Sequence, residues 1–189
     1  TKEDPRIRER YGMGSSKHLG DGAPMWNDQL LAARRLVESG VRCVTVAYGF
    51  WDTHGNNFKY LKDHLPLFDK GISALVNDIY DRGLDQDVTV CVWGEFGRTP
   101  KINSTRNGRD HYPRNMFMLL GGGGVRGGQV LGESDETASM PKHEGFSPDD
   151  VAASFYHAMG INHTYEYHTS TGRPVMIVRD GRVIPQLFS

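Results

Sequence analysis

Cysteine, long apolar runs and an excess of either charge are all scarce in this 189-residue sequence. Cys43 and Cys91 are its only cysteines. Both fall in apolar stretches that read as strands, where buried free thiols are expected, and two such residues leave the redox compartment open. No stretch approaches the roughly 20 apolar residues that a membrane helix requires, and the mean hydropathy of -0.52 agrees. A membrane-spanning helix is therefore excluded. The 22 basic and 23 acidic residues leave a net charge of -1 and form no long like-charge blocks. That balance argues against a nucleic-acid or anionic-membrane surface and towards a small or neutral partner. Internal repeats and low-complexity linkers are missing too, so residues 1–189 are expected to form a single α/β domain. The opening Thr1-Lys2-Glu3-Asp4 has neither an initiator Met nor an apolar signal core, and the expectation is a processed or truncated part of a longer protein.

What is present is concentrated in residues 88–114. Val88, Val90 and Val92 alternate with Thr89 and Cys91, a β-branched run that predicts a strand buried on both faces. Glu95, Arg98, Asp110 and His111 follow in a loop rich in Gly, Pro and Asn. Open α/β sheets bind ligands beyond the carboxyl ends of their strands, which places chemistry here.

The rest of the chain is read around that stretch. Asp4-Pro5 opens a short helix that Gly12 stops, and Asn27 heads a helix over residues 28–39, with Leu30, Leu31, Ala33 and Val37 inward and Arg34, Arg35 and Glu38 outward. The run VRCVTVAY then predicts a second buried strand, which leads into GFWDTHGNNF. Asp52 and His54 are two apart, so in extended chain both side chains face the same way and could share one ion. Leu61, Leu65, Phe68, Ile72, Leu75 and Ile79 mark a helical stripe, with Pro66 bending or splitting the helix and Gly83 ending it. A helix between two buried strands predicts a parallel βαβ crossover.

Residues 115–120 read as another strand. Residues 121–124 are four glycines, which a phosphate loop would follow with Lys-Ser/Thr and a helix; neither is present, and a sharp turn is expected. A polar loop carries Glu133, Asp135, His143 and Glu144. Ser147-Pro148 then starts a helix that stops at Gly160, and Asp180-Gly181 suits the turn of a C-terminal β-hairpin.

Several side chains carry two readings. Glu95 is either a metal ligand or a carboxylate that closes a loop against Arg98 or Arg109. Arg98 either binds an ester's anionic oxygens or forms a salt bridge. His111 is a loop histidine bonded to Asp110, or a ligand whose imidazole Asp110 orients.

The motifs GVRCVTV, WDTHGNNF, WGEFGRTPKIN, GRDHYP, LLGGGGVRGGQV, SPDDVAASFYHAMGI and TGRPVMIVRDGRVI together resemble the C-terminal half of the bacterial domain-of-unknown-function family numbered 1501. That family is grouped with the alkaline phosphatase and sulfatase superfamily. The resemblance implies a three-layer, mostly parallel sheet flanked by helices, and hydrolysis of phosphate or sulfate esters, small or glycan, at a site of one or two metals. By order along the chain it assigns Asp52 and His54, then Glu95, then His111 as ligands of a divalent ion (Zn, Mn, Mg or Ca). Phe96 stands where the superfamily usually has His. The resemblance also implies a nucleophilic Ser or Thr upstream of this chain, and export to the periplasm. The alternative is a non-catalytic module of the same fold that recognises sulfated glycans or a protein partner. An unpaired sheet edge would make self-association, as a homo-oligomer, plausible.

Overall fold

A computed structural model describes residues 3–20, 22–143 and 145–188. Glu144 of the polar loop lies outside the described residues. The chain divides into two compact units: residues 1–84 with 96–116, and residues 85–95 with 117–189.

The first unit is built on three helices. Helix α1 (Pro5–Tyr11) starts as its sequence dictates, with Asp4 accepting the Arg6 backbone N–H and Pro at the first turn. Helix α2 (Asp28–Glu38) begins after Asn27, whose side chain does not cap it. Asn27 is buried and instead donates from Nδ2 to the carbonyls of Tyr11 and Leu67, while its Oδ1 accepts the Tyr48 hydroxyl. Helix α3 (Asn57–Asp81) runs uninterrupted through Pro66, which leaves one backbone bond of the ladder unmade. The core of the unit is Tyr11, Met25, Leu30, Leu31, Ala74, Leu75 and Ile79.

Arg34 departs from its expected outward position. It is 4% exposed, and its guanidinium reaches Glu3 at 2.7 Å, Glu38 at 2.5 Å and Asp78 at 2.8 Å. A guanidinium enters a core only when carboxylates meet it there. Its desolvation is offset by three of them. Tyr11 donates its hydroxyl to the same Asp78 oxygen at 3.0 Å, and Arg82 reaches the other Asp78 oxygen at 2.9 Å.

The second unit contains β1 (Val90–Trp93) and β4 (Met118–Gly121), α4 (Pro148–Ala158), and β5 (Glu166–His168) with β6 (Pro174–Met176). Strands β1 and β4 pair antiparallel, Val90 opposite Gly121 and Trp93 opposite Met118. Helix α4 has a capping box, in which Ser147 Oγ accepts the Asp150 N–H and Asp150 accepts the Ser147 N–H. Its Ala153 and Ser154 are buried with Val178, Ile184 and Leu187.

The three-layer, mostly parallel sheet is not formed. Every ladder among the described residues is antiparallel and two-stranded: β1 with β4, β5 with β6, and β2 (Gly97–Arg98) with β3 (His111–Tyr112) in the first unit. A parallel crossover needs a strand over VRCVTVAY, yet among the described residues the backbone groups of residues 42–47 pair with no other backbone. Apolar β-branched runs mark extended chain but do not choose a partner. With only one neighbour, β1 is not buried on both faces; Trp93 is 58% exposed. The two cysteines form no disulfide, but the burial expected of them is not found: Cys43 is exposed and Cys91 half-buried.

The C-terminal hairpin forms earlier than predicted, as β5 and β6, with its turn over residues 169–173 and not at Asp180-Gly181. Residues 180–184 are held on α4 instead. Asp150 Oδ1 accepts the Arg182 N–H at 2.8 Å, Ser154 Oγ accepts the Ile184 N–H at 2.9 Å, and a Cβ on Gly181 would lie 2.0 Å from the Asp149 carbonyl oxygen.

Candidate metal centre

The candidate acid and imidazole ligands in the first unit come from two stretches, 52–57 and 96–112. Backbone bonds lace these together: the Asn56 and Asn57 N–H groups donate to the carbonyls of Arg106 and Asn107, and the Arg109 N–H donates to that of Thr53. The first two bonds also satisfy donors at the start of α3, where Asn56, in the left-handed region at φ 49°, makes no side-chain cap. Thr53 and Asn57 are buried beneath this seam and joined by a hydrogen bond. Within 96–112 the chain doubles back, so β2 and β3 place Arg98 directly opposite His111. Residues directly opposite in a ladder present their side chains on one face.

Asp52, His54 and His111 therefore converge. One ligand atom from each lies within 4.8 Å of the others. Asp52 Oδ1 is the hub, 3.0 Å from His54 Nε2 and 2.8 Å from His111 Nε2, and it accepts Arg98 Nη1 at 2.6 Å. The guanidinium of Arg98, and next the hydrogen bond from His111, hold the Asp52 carboxyl below the usual carboxylate range. Phe96 packs on His111 with ring centroids 4.4 Å apart, and the Arg98 guanidinium carbon lies 6.0 Å from the Phe96 ring centre.

Asp110 takes the outer position, but on a different imidazole from the one expected. Its Oδ1 lies 2.5 Å from His54 Nδ1, and this bond holds its own carboxyl low. Adjacent residues in extended chain face opposite ways, so Asp110 and His111 cannot readily serve each other, whereas Asp110 meets a partner across the seam. Sequence gave no sign of which imidazole that would be.

This donor set fits a divalent ion. Asp110 engages His54 at Nδ1, which leaves Nε2, 3.0 Å from Asp52 Oδ1, as the ring atom open to an ion. A carboxylate behind a ligating imidazole is the usual outer support of such sites. Two imidazoles and one carboxylate suit Zn, Mn or Fe better than Ca.

Glu95 is exposed and belongs to the other compact unit; the converging group comprises Asp52, His54 and His111. His143 is exposed and 3.6 Å from Glu133. Of the nearby hydroxyls, that of Thr53 is buried and bonded to Asn57, and that of Thr99 is bonded to the Lys101 carbonyl and the Asp110 N–H. From the sequence Phe96 was marked only as standing where the superfamily usually has His, and Gly108 was not singled out. Gly108 became visible only through the closeness of the two stretches.

No helix among the described residues is long and apolar enough to cross a membrane. No curated protein and no solved structure matches the chain. A family model described as "Protein of unknown function (DUF1501)" matches residues 1–188, nearly the full length over which the motifs carry the resemblance. The chain belongs to the DUF1501 family.

Proposed function

We propose that this chain supplies the metal-holding part of a divalent-metal-dependent hydrolase of phosphate or sulfate esters, related to the alkaline phosphatases and sulfatases. The observation that carries the reading is the convergence of Asp52, His54 and His111, with Asp110 behind His54 and Arg98 beside Asp52. Asp52, His54 and His111 would hold the ion. When bound, such an ion lowers the pKa of a water and offsets the charge of an anionic ester.

The remaining roles belong to the chain. Asp110 fixes the tautomer and orientation of His54. Arg98 presents a planar fork that matches the oxygens of a phosphate or sulfate. Phe96 limits the rotation of His111 by packing on its ring. The buried, bonded Thr53 is no candidate nucleophile, in keeping with a nucleophile supplied from outside this chain.

A second reading is favoured by Phe96. An aromatic ring beside the half-buried Arg98 and the exposed His111 suits a sulfated glycan without any chemistry, which is the non-catalytic alternative.

The test is hydrolysis of aryl phosphate and aryl sulfate esters by the complete protein with Zn²⁺, Mn²⁺ or Mg²⁺, beside Asp52→Ala and His111→Ala. Turnover that falls by at least about 100-fold in both variants, together with loss of bound metal, supports the hydrolase. Metal content and turnover unchanged by both substitutions would sink it. Glycan binding with no turnover by the wild type would select the second reading.

A further inference from the structure

Asp52 Oδ1 is the point on which the cluster converges, and one of the groups on it is a permanent cation. Arg98 Nη1, at 2.6 Å, is nearer to this oxygen than His111 Nε2 at 2.8 Å or His54 Nε2 at 3.0 Å. A guanidinium does not lose its proton in a protein, so it competes with any other cation for Asp52 through both its charge and the space it fills. A divalent ion that takes this oxygen must displace it.

The displaced group has little freedom to leave. The backbone of Arg98 is fixed in β2 opposite His111, the Thr99 N–H that follows donates to the Asp110 carbonyl at 2.9 Å, and the side chain is only 22% exposed. Phe96 lies alongside the guanidinium. A side chain so anchored, once separated from its carboxylate, is an unpaired cation at the edge of the cluster. A tetrahedral oxyanion offers it a second partner of the same geometry.

We propose that Arg98 is an internal counter-ion that a divalent cation displaces from Asp52, and that the freed guanidinium then takes the anionic oxygens of the ester. Cation and oxyanion consequently bind with positive coupling, each raising the affinity of the other by the same factor. The proposal rests on the metal-dependent reading of the cluster.

The experiment is calorimetric titration of the whole chain with Mn²⁺ in a weakly coordinating buffer, with and without inorganic phosphate, for the wild type, Arg98→Gln and Arg98→Lys. Far-UV circular dichroism checks that each variant folds. Phosphate is expected to tighten Mn²⁺ binding by the wild type about tenfold. Arg98→Gln removes the competitor, so it should bind Mn²⁺ about fivefold more tightly than the wild type without phosphate. Its phosphate effect should be lost. Arg98→Lys keeps the charge without the fork, so its affinity without phosphate should stay within about twofold of the wild type while the phosphate effect shrinks.

Mn²⁺ binding by Arg98→Gln that equals or falls below that of the wild type overturns the proposal, as does a phosphate effect of equal size in both. Should Arg98→Gln fail to fold, an undiminished phosphate effect in Arg98→Lys overturns it. Those outcomes leave the metal-dependent reading standing. Absence of Mn²⁺ binding in every sample, and of Zn²⁺ binding in the same titration repeated with that ion, refutes that reading and this proposal together.

Discussion

A Cβ on Gly108 would lie 1.8 Å from the carbonyl oxygen of His54. The two stretches that carry the candidate ligands touch there, backbone against backbone, and no side chain can rotate away to make room. Gly108→Ala must push the stretches apart. The expected cost is about 3 kcal/mol, at the upper end of what overpacking usually gives, with weakened metal binding beside it. Gly127 has open space around its position, so Gly127→Ala should stay within about 0.5 kcal/mol of wild type. Urea midpoints for the two variants decide the matter, and equal midpoints would refute the close contact.

Asp110 is expected to act through His54 alone. Asp110→Asn retains an oxygen that can accept the Nδ1–H but loses the charge, and should weaken Zn²⁺ binding about tenfold; Asp110→Ala, with no acceptor, should weaken it about 100-fold. Competition with a chromogenic chelator measures both. Wild-type affinity in Asp110→Ala would show that the imidazole needs no such support.

Stability is expected to fall at both ends of the pH scale, for separate reasons. Burial alone would raise the Asp78 carboxyl, but the hydrogen bonds from Arg82 and Tyr11 and the charge of Arg34 outweigh it and hold the group low. The unfolded chain therefore binds the proton first as pH drops below about 4, and the contribution of Asp78 is lost as pH falls further. Burial pushes the Tyr48 hydroxyl up to about 12, and burial with the Asp78 charge pushes Tyr11 up as well. The unfolded chain loses those protons first above about pH 10, so stability declines from there as pH rises. Urea midpoints from pH 3 to 11 should show a plateau with two shoulders. Asp78→Ala should cost about 3 kcal/mol, the low end for breaking a buried pair, because Glu3 and Glu38 still face Arg34. It should also flatten the acid shoulder, and an unchanged shoulder would remove Asp78 from the account.

The helices were legible because their signals are local. Asp4-Pro5 and Ser147-Pro148-Asp149-Asp150 place orphan backbone donors next to acceptors a few residues away, and α1 and α4 start there. Strands depend on partners distant in sequence, and VRCVTVAY carries nothing that names one. Arg34 could not be read as buried because its three carboxylates come from residues 3, 38 and 78. Within the cluster, the two-residue step from Asp52 to His54 was visible, and so was the presence of His111 in a polar turn. The link from Asp110 to His54 spans 56 residues and exists only because residues 53–57 and 106–109 lie side by side.

That span has a consequence for how the first unit holds together. Cys43 and Cys91 form no disulfide, so no such bridge closes a loop among the described residues. An ion shared by Asp52, His54 and His111 would close one of nearly 60 residues, as a disulfide does but removable by a chelator. Metal depletion would then act on folding itself, because the binding free energy of the ion is lost from the folded state alone.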